Sequence, residues 1–227
     1  MKKTLIMLGF VLLAAAAYAT PLLLIIDSSG SMDETLASGK TKLETAKAVA
    51  IDTVNSYNDE IALMVYTDCD SGGDPLTGSI SVWQGFTTSK SDLISKINSI
   101  TADSSTPIAN SIIEGTTYLQ QTKGTGQMVL LTDGEETCNG DVVSAVEAAQ
   151  AAGMSVKVVG FALDNSSQAD ISSSVTQGGG KYYNAGDELE LRQAFNEAVS
   201  DGSTCCVPTA LLLLPLAAGL YLRLRIE

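Results

Sequence analysis

Three unbroken apolar runs constrain this chain more than anything else in it: "PLLLIID" at 21–27, "IALMVYTD" at 61–68 and "GQMVLLTDG" at 126–134. A strand with one face in water alternates apolar and polar residues. A run that is apolar throughout, a few residues long and closed by a turn, is a strand covered on both faces, as in a parallel sheet flanked by helices.

The segments between the runs fit that architecture. "KLETAKAVAIDTVNSY" (42–57) spaces Leu43, Ala46, Ala50, Ile51 and Val54 as one helical face. "SDLISKINSI" (91–100) gives a short amphipathic helix. In "SSTPIANSIIEGTTYLQQ" (104–121), Thr106 suits an N-cap, Pro107 the first helical position, and Ile108, Ile112 and Leu119 the buried face. Asp141 is placed to cap "VVSAVEAAQAA" (142–152) and Gly153 to end it. "MSVKVVGFAL" (154–163) is a further strand, "SQADISSSVT" (167–176) a short helix, and "GGGKYYNA" (178–185) a turn and edge strand. "SISVWQGF" (79–86) alternates like a short edge strand. Asp187 and Glu190 have capping-box spacing before a last helix that runs through Phe195 and Val199. Strand and helix alternate throughout, which predicts an α/β fold: a doubly wound, mostly parallel open sheet with helices on both faces. In such sheets ligands bind beyond the carboxyl ends of the strands, near the point where strand order reverses.

The ends read differently. "MKKTLIMLGFVLLAAAAYAT" has two lysines, an apolar stretch and Ala17-Tyr18-Ala19, the layout of a signal peptide over residues 1–19. An uncleaved membrane anchor is the alternative. After the main domain, residues 20–202, a link at 203–206 leads to an apolar run at 207–222 and a short basic tail at 223–227. That run contains Pro215 and is slightly short for a span of ~20 residues. It reads as a transmembrane helix or a processed sorting tail. Arg223 and Arg225 favour a cytoplasmic C-terminus. The domain is therefore expected outside the cytoplasm, in the periplasm or at the cell surface, anchored to the membrane by its C-terminal segment.

Charge and composition exclude several functions. The 26 acidic residues outnumber 13 basic ones, and four of those basic residues (Lys2, Lys3, Arg223, Arg225) lie in the terminal segments. A domain so acidic repels phosphate backbones, so nucleic acid is not an expected partner. There is no histidine. That removes His-based general-base catalysis, Ser-His-Asp and Cys-His nucleophiles, and His-ligated zinc. The four cysteines, Cys69, Cys138, Cys205 and Cys206, permit three pairings that sequence alone does not choose between.

Three short stretches fall at one edge of the expected sheet: Asp27-x-Ser29-x-Ser31, Thr106-Pro107 and Asp133-Gly134. Each alone is a turn or a helix cap. Together they offer only hydroxyl and carboxylate oxygens, the donors hard cations such as Mg²⁺ prefer. Here the chain resembles the von Willebrand factor type A domain. Asp27-Ser28-Ser29-Gly30-Ser31, Thr106 and Asp133-Gly134 match that family's metal-ion-dependent adhesion site, and "GKTKLETAK" (39–47) and "TDGEETCNGD" (132–141) look like its bacterial members. The resemblance spans about residues 21–202. It implies Mg²⁺ or Mn²⁺ held by Ser29, Ser31 and Thr106, with Asp27 and Asp133 acting directly or through water. It also implies an open position for an Asp or Glu of a protein partner. The implied function is a non-enzymatic adhesion or protein-binding module; the alternative is a subunit of a membrane-associated assembly. Cys69 and Cys138 should both lie at the ligand-binding edge, making their disulfide the leading pairing and two free thiols the alternative. Cys205 and Cys206 are left unassigned.

Other signals are weaker. Ser38-Gly39-Lys40-Thr41 ends like a P-loop, but Glu34 stands where its first glycine belongs. Asp68, Asp70 and Asp74 could hold Ca²⁺, yet Ser79 occupies the place of an EF-hand's final glutamate. Asn165-Ser166-Ser167 is a glycosylation sequon, meaningful only in a host that glycosylates, and Trp83 reads as a packed or edge-strand aromatic.

Overall fold

The structure, a computed structural model, describes residues 20–69, 76, 78–103 and 105–201. The expected signal segment, the C-terminal apolar run, Asp70, Asp74, Cys205 and Cys206 lie outside the described residues.

The order of elements is β1 (Leu22–Asp27), α1 (Lys42–Ser56), β2 (Ile61–Tyr66), β3 (Ile80–Thr87), α2 (Lys90–Asn98), α3 (Ile108–Thr122), β4 (Gly126–Thr132), α4 (Val142–Ala151), β5 (Met154–Phe161), α5 (Asn165–Gln177), β6 (Lys181–Ala185) and α6 (Glu188–Ser200). They build one six-stranded sheet in the order β3-β2-β1-β4-β5-β6. All neighbours are parallel except β2 and β3, which are antiparallel with register shifts near Leu63. The shifts and the half-buried pattern of β3 suit an edge strand.

Period-two alternation divides the core. Leu22, Leu24 and Ile26 of β1 face the layer made by α1, α2 and α6, while Leu23 and Ile25 face α3, α4 and α5. Every residue of β1, β2 and β4 is buried, which is why each reads as an apolar run. Strand order reverses between β1 and β4: the chain leaves β1 for β2 on one side and later returns to β4 on the other. The crevice at their carboxyl ends is the switch point, with Asp27 ending β1 and Asp133 following β4. Among the described residues, no helix is long and apolar enough to cross a membrane.

Several helix ends are as expected. Thr41 and Glu44 form a reciprocal capping box on α1, Asp141 accepts from the Ser144 amide, and Gly153 takes a positive φ of 82° just past α4. Two differ. Asp187 accepts from the Glu190 amide, but the Glu190 carboxylate accepts from Gly186, one residue before the cap. And α3 begins at Ile108, with Pro107 rather than Thr106 as its N-cap and no side-chain cap of its own.

Candidate metal centre

The β1–α1 connection carries the first group of side chains. Beyond Asp27 the chain makes a 3-10 turn, Gly30–Asp33, and then a small hairpin. In that hairpin Thr35 bridges Thr41, and the Lys42 amide donates to the Glu34 carbonyl. The turn is anchored to β2, since both the Ser28 amide and hydroxyl donate to the Tyr66 carbonyl.

Asp27 is fully buried and its oxygens are occupied. Oδ1 accepts from the Ser29 amide at 2.7 Å. Oδ2 accepts from Thr132 Oγ1 at 2.9 Å and from the Asp133 amide at 3.3 Å. It thus ties β1 to β4 across the switch point. Burial, and after it the Asp133 charge, push its carboxyl up to about 6. Tyr66 packs against it. The buried Tyr66 hydroxyl faces the Asp27 carboxyl and Thr132 without a hydrogen bond of good geometry, and burial holds its pKa well above the ordinary phenol value.

Three oxygens converge in front of this pair. Ser29 Oγ and Ser31 Oγ are 3.1 Å apart; Asp133 Oδ1 lies 2.7 Å from Ser31 Oγ and 3.5 Å from Ser29 Oγ. Neighbouring oxygens around an octahedral ion at about 2.1 Å are about 3.0 Å apart, so this triangle has the size of one octahedral face. Gly134 backs onto the same space: a Cβ there would sit 3.5 Å from Thr106 Oγ1 and 3.9 Å from Ser31 Oγ. Thr106 is therefore brought to the cluster from a distant loop, and all five residues singled out from sequence meet at one edge. Among the described residues no three His, Cys, Asp or Glu side chains gather as a metal site. The donors here are largely hydroxyls, a set suited to a hard cation that keeps some water.

Thr106 is held by a neighbouring loop. Its amide donates to Thr137 Oγ1 at 2.8 Å and its carbonyl accepts from the Thr137 amide at 3.1 Å. Glu136 supplies the cap that α3 lacks: Oε2 accepts from the Ala109 amide and Oε1 from the Cys138 amide. Cys138 in turn forms a disulfide with Cys69, past the end of β2. The loop after β4 is thus fastened to α3, to Thr106 and to β2.

One participant was not singled out from sequence. Lys42 Nζ donates to Asp133 Oδ2 at 2.9 Å and to Glu34 Oε2 at 2.7 Å. Burial pulls this ammonium down, but its bonds to Glu34 and Asp133 and their charges outweigh it and its pKa is raised. A separate hollow of about 260 Å³ nearby is lined by Glu135, Glu136, Asp141 and Asp170, among others. Ser38-Gly39-Lys40-Thr41 lies in the hairpin before α1 and does not directly follow a strand, and Lys40 pairs with Glu188.

A model of the von Willebrand factor type A domain matches residues 22–197. YwmC, an uncharacterised protein of Bacillus subtilis, is 25% identical over 182 residues, 76% of this chain and 80% of that protein. In fold, the chain is similar to BatB, a conserved hypothetical protein of Bacteroides thetaiotaomicron (TM-score 0.66, 19% identity, 82% of this chain and all of that one). It is also similar to an aerotolerance-related membrane protein of Bacteroides fragilis (TM-score 0.62, 19% identity, 81% of this chain and all of that one).

Proposed function

This chain belongs to the von Willebrand factor type A domain family, and from that premise we propose that it is a protein-interaction module that works through Mg²⁺ or Mn²⁺. The observation that carries the reading is the triangle of Ser29 Oγ, Ser31 Oγ and Asp133 Oδ1 at the switch point. Ser29, Ser31 and Thr106 are the direct ligands in this reading, and Asp133 contributes through Oδ1. Asp27, with both oxygens already accepting hydrogen bonds, orients Ser29 and the Asp133 backbone and fixes their charge environment. Hydroxyl ligands are neutral, so a bound cation keeps most of its charge and supplies a Lewis-acidic centre for a partner's Asp or Glu.

A binding role rather than catalysis is supported by the absence of histidine from the chain and by the hydrogen-bonded state of every carboxylate in the site. We place the domain outside the cytoplasm, tethered through residues 207–222, on the reading of the two terminal segments. A second reading, a subunit docked in a membrane-associated assembly, is favoured by that same apolar segment and by the fold shared with a membrane protein. Crosslinking separates the two: one stoichiometric membrane complex favours assembly, and an external protein ligand favours adhesion.

The direct test is calorimetric titration of the folded domain with Mn²⁺. Wild type should bind at one site, and Asp27→Ala and Ser31→Ala should lose that binding while keeping a cooperative thermal transition. Equal binding by wild type and Asp27→Ala would sink the reading.

A further inference from the structure

Lys42 stands where neither helix physics nor burial favours it. It is the first residue of α1, at the positive end of the helix dipole, where acidic residues are preferred. The rest of that turn follows the rule, with Thr41 capping and Glu44 closing the box. Lysine is also among the residues least often buried, yet the Lys42 side chain is only 9% exposed. Its stem is fixed by the hairpin that returns its own amide to Glu34. Its head reaches Asp133 on one side and Glu34 on the other, and the Glu34 side chain is 65% exposed.

The Asp133 carboxylate is thereby divided. Oδ1 faces Ser29 and Ser31, and Oδ2 faces Lys42. The ammonium is the only cationic group bonded to the site's carboxylates among the described residues. We propose that Lys42 is a tethered cation: it balances the Asp133 carboxylate when no metal is bound and weakens metal binding by like-charge repulsion, with Glu34 moderating the effect. The inference rests on the metal-binding reading above.

Two substitutions should shift metal affinity in opposite directions. Lys42→Met keeps much of the stem and removes the charge. Asp27 and Asp133 then face each other with no built-in counter-ion, so the metal-free protein loses stability and a divalent ion gains affinity. Glu34→Gln leaves Lys42 charged but removes a negative group from its other side, so affinity falls. Lys42→Arg keeps the charge and should stay near wild type.

The experiment is Mn²⁺ titration of these variants, paired with thermal unfolding in EDTA and in saturating Mn²⁺. Unit charges sharing one carboxylate still repel at an effective dielectric of about 20, so Lys42→Met should bind Mn²⁺ at least about tenfold tighter, and Glu34→Gln about threefold weaker. Lys42→Met should melt lower in EDTA and recover most of that loss in Mn²⁺. A merely structural lysine would lower Tm equally in both conditions and leave affinity unchanged, and that result overturns the proposal. So does unchanged or tighter binding by Glu34→Gln, whose exposed side chain keeps the test valid if Lys42→Met fails to fold. If wild type itself binds no Mn²⁺, the metal reading falls and this inference with it. If wild type binds and Lys42→Met binds no tighter, only the inference falls.

Discussion

Replacing both Cys69 and Cys138 by serine should cost a large share of the domain's stability and little of its site. The bridge joins residues 69 positions apart. In the chain-entropy account, closing a loop of that length removes about 15 cal/mol/K from the unfolded chain, or about 4.4 kcal/mol at 25 °C. Residual structure in the unfolded state lowers this, so the expected loss is about 2–4 kcal/mol. The folded side loses less, because other bonds hold the same loops. Thr137 and Thr106 exchange two hydrogen bonds, Glu136 binds the Cys138 amide, and Ser28 remains bonded to Tyr66. Urea denaturation at equilibrium measures the loss, and a rise in m would show that the unfolded chain has become more open. Mn²⁺ affinity should change by less than about tenfold. A stability loss under about 1 kcal/mol would refute the unfolded-state argument. Loss of Mn²⁺ binding from a still-folded double variant would refute the claim that hydrogen bonds alone keep Thr106 in place.

Three further outcomes follow from single contacts. Glu136→Ala orphans the Ala109 and Cys138 amides and uncaps α3, which should cost about 1–2 kcal/mol in urea denaturation. A Cβ at Gly115 would meet Met128 Sδ at 2.8 Å, Leu23 Cδ2 at 3.1 Å and Ile25 Cδ1 at 3.2 Å. These are side-chain ends that can shift, and alanine gains about 1 kcal/mol over glycine inside a helix, so Gly115→Ala should change stability by less than about 1 kcal/mol net, read from Tm. Asp27 has its pKa raised from 3.8 to about 6, so between those values the folded protein binds more protons than the unfolded one. In EDTA its contribution to stability should rise as pH falls from about 6 toward 4, and Asp27→Asn should abolish that part of the pH dependence. Urea midpoints of both proteins at pH 5 and 7 check it.

The parts of this molecule dictated by burial were legible in its sequence, and the parts dictated by long-range polar contacts were not. Continuous apolar runs gave β1, β2 and β4 because these strands are covered on both faces. The switch point followed from their alternation with helices, and it brought Asp27 and Asp133 to one crevice. The alternation in β3 marked an edge strand but carries no information about direction, and the strand is antiparallel. Thr106 looked like a helix cap by its place before Pro107. The cap is Glu136, from a loop 27 residues away from Ala109, and local propensity does not register such a partner. Lys42 was not singled out, as it opens a segment that reads as an ordinary helix. The signal available was its position, a cation in the first turn of a helix already capped at Thr41, which is a local conflict of the kind that gathers at functional sites.

The central claim is that five residues from three distant stretches form one cation site. Anomalous diffraction from crystals grown or soaked in Mn²⁺ tests it most directly. The account predicts a single strong peak bounded by Ser29 Oγ, Ser31 Oγ and Thr106 Oγ1, on the Oδ1 side of Asp133. A peak confined to the hollow lined by Glu135, Glu136, Asp141 and Asp170, or no peak in a well-diffracting crystal at millimolar Mn²⁺, would contradict it.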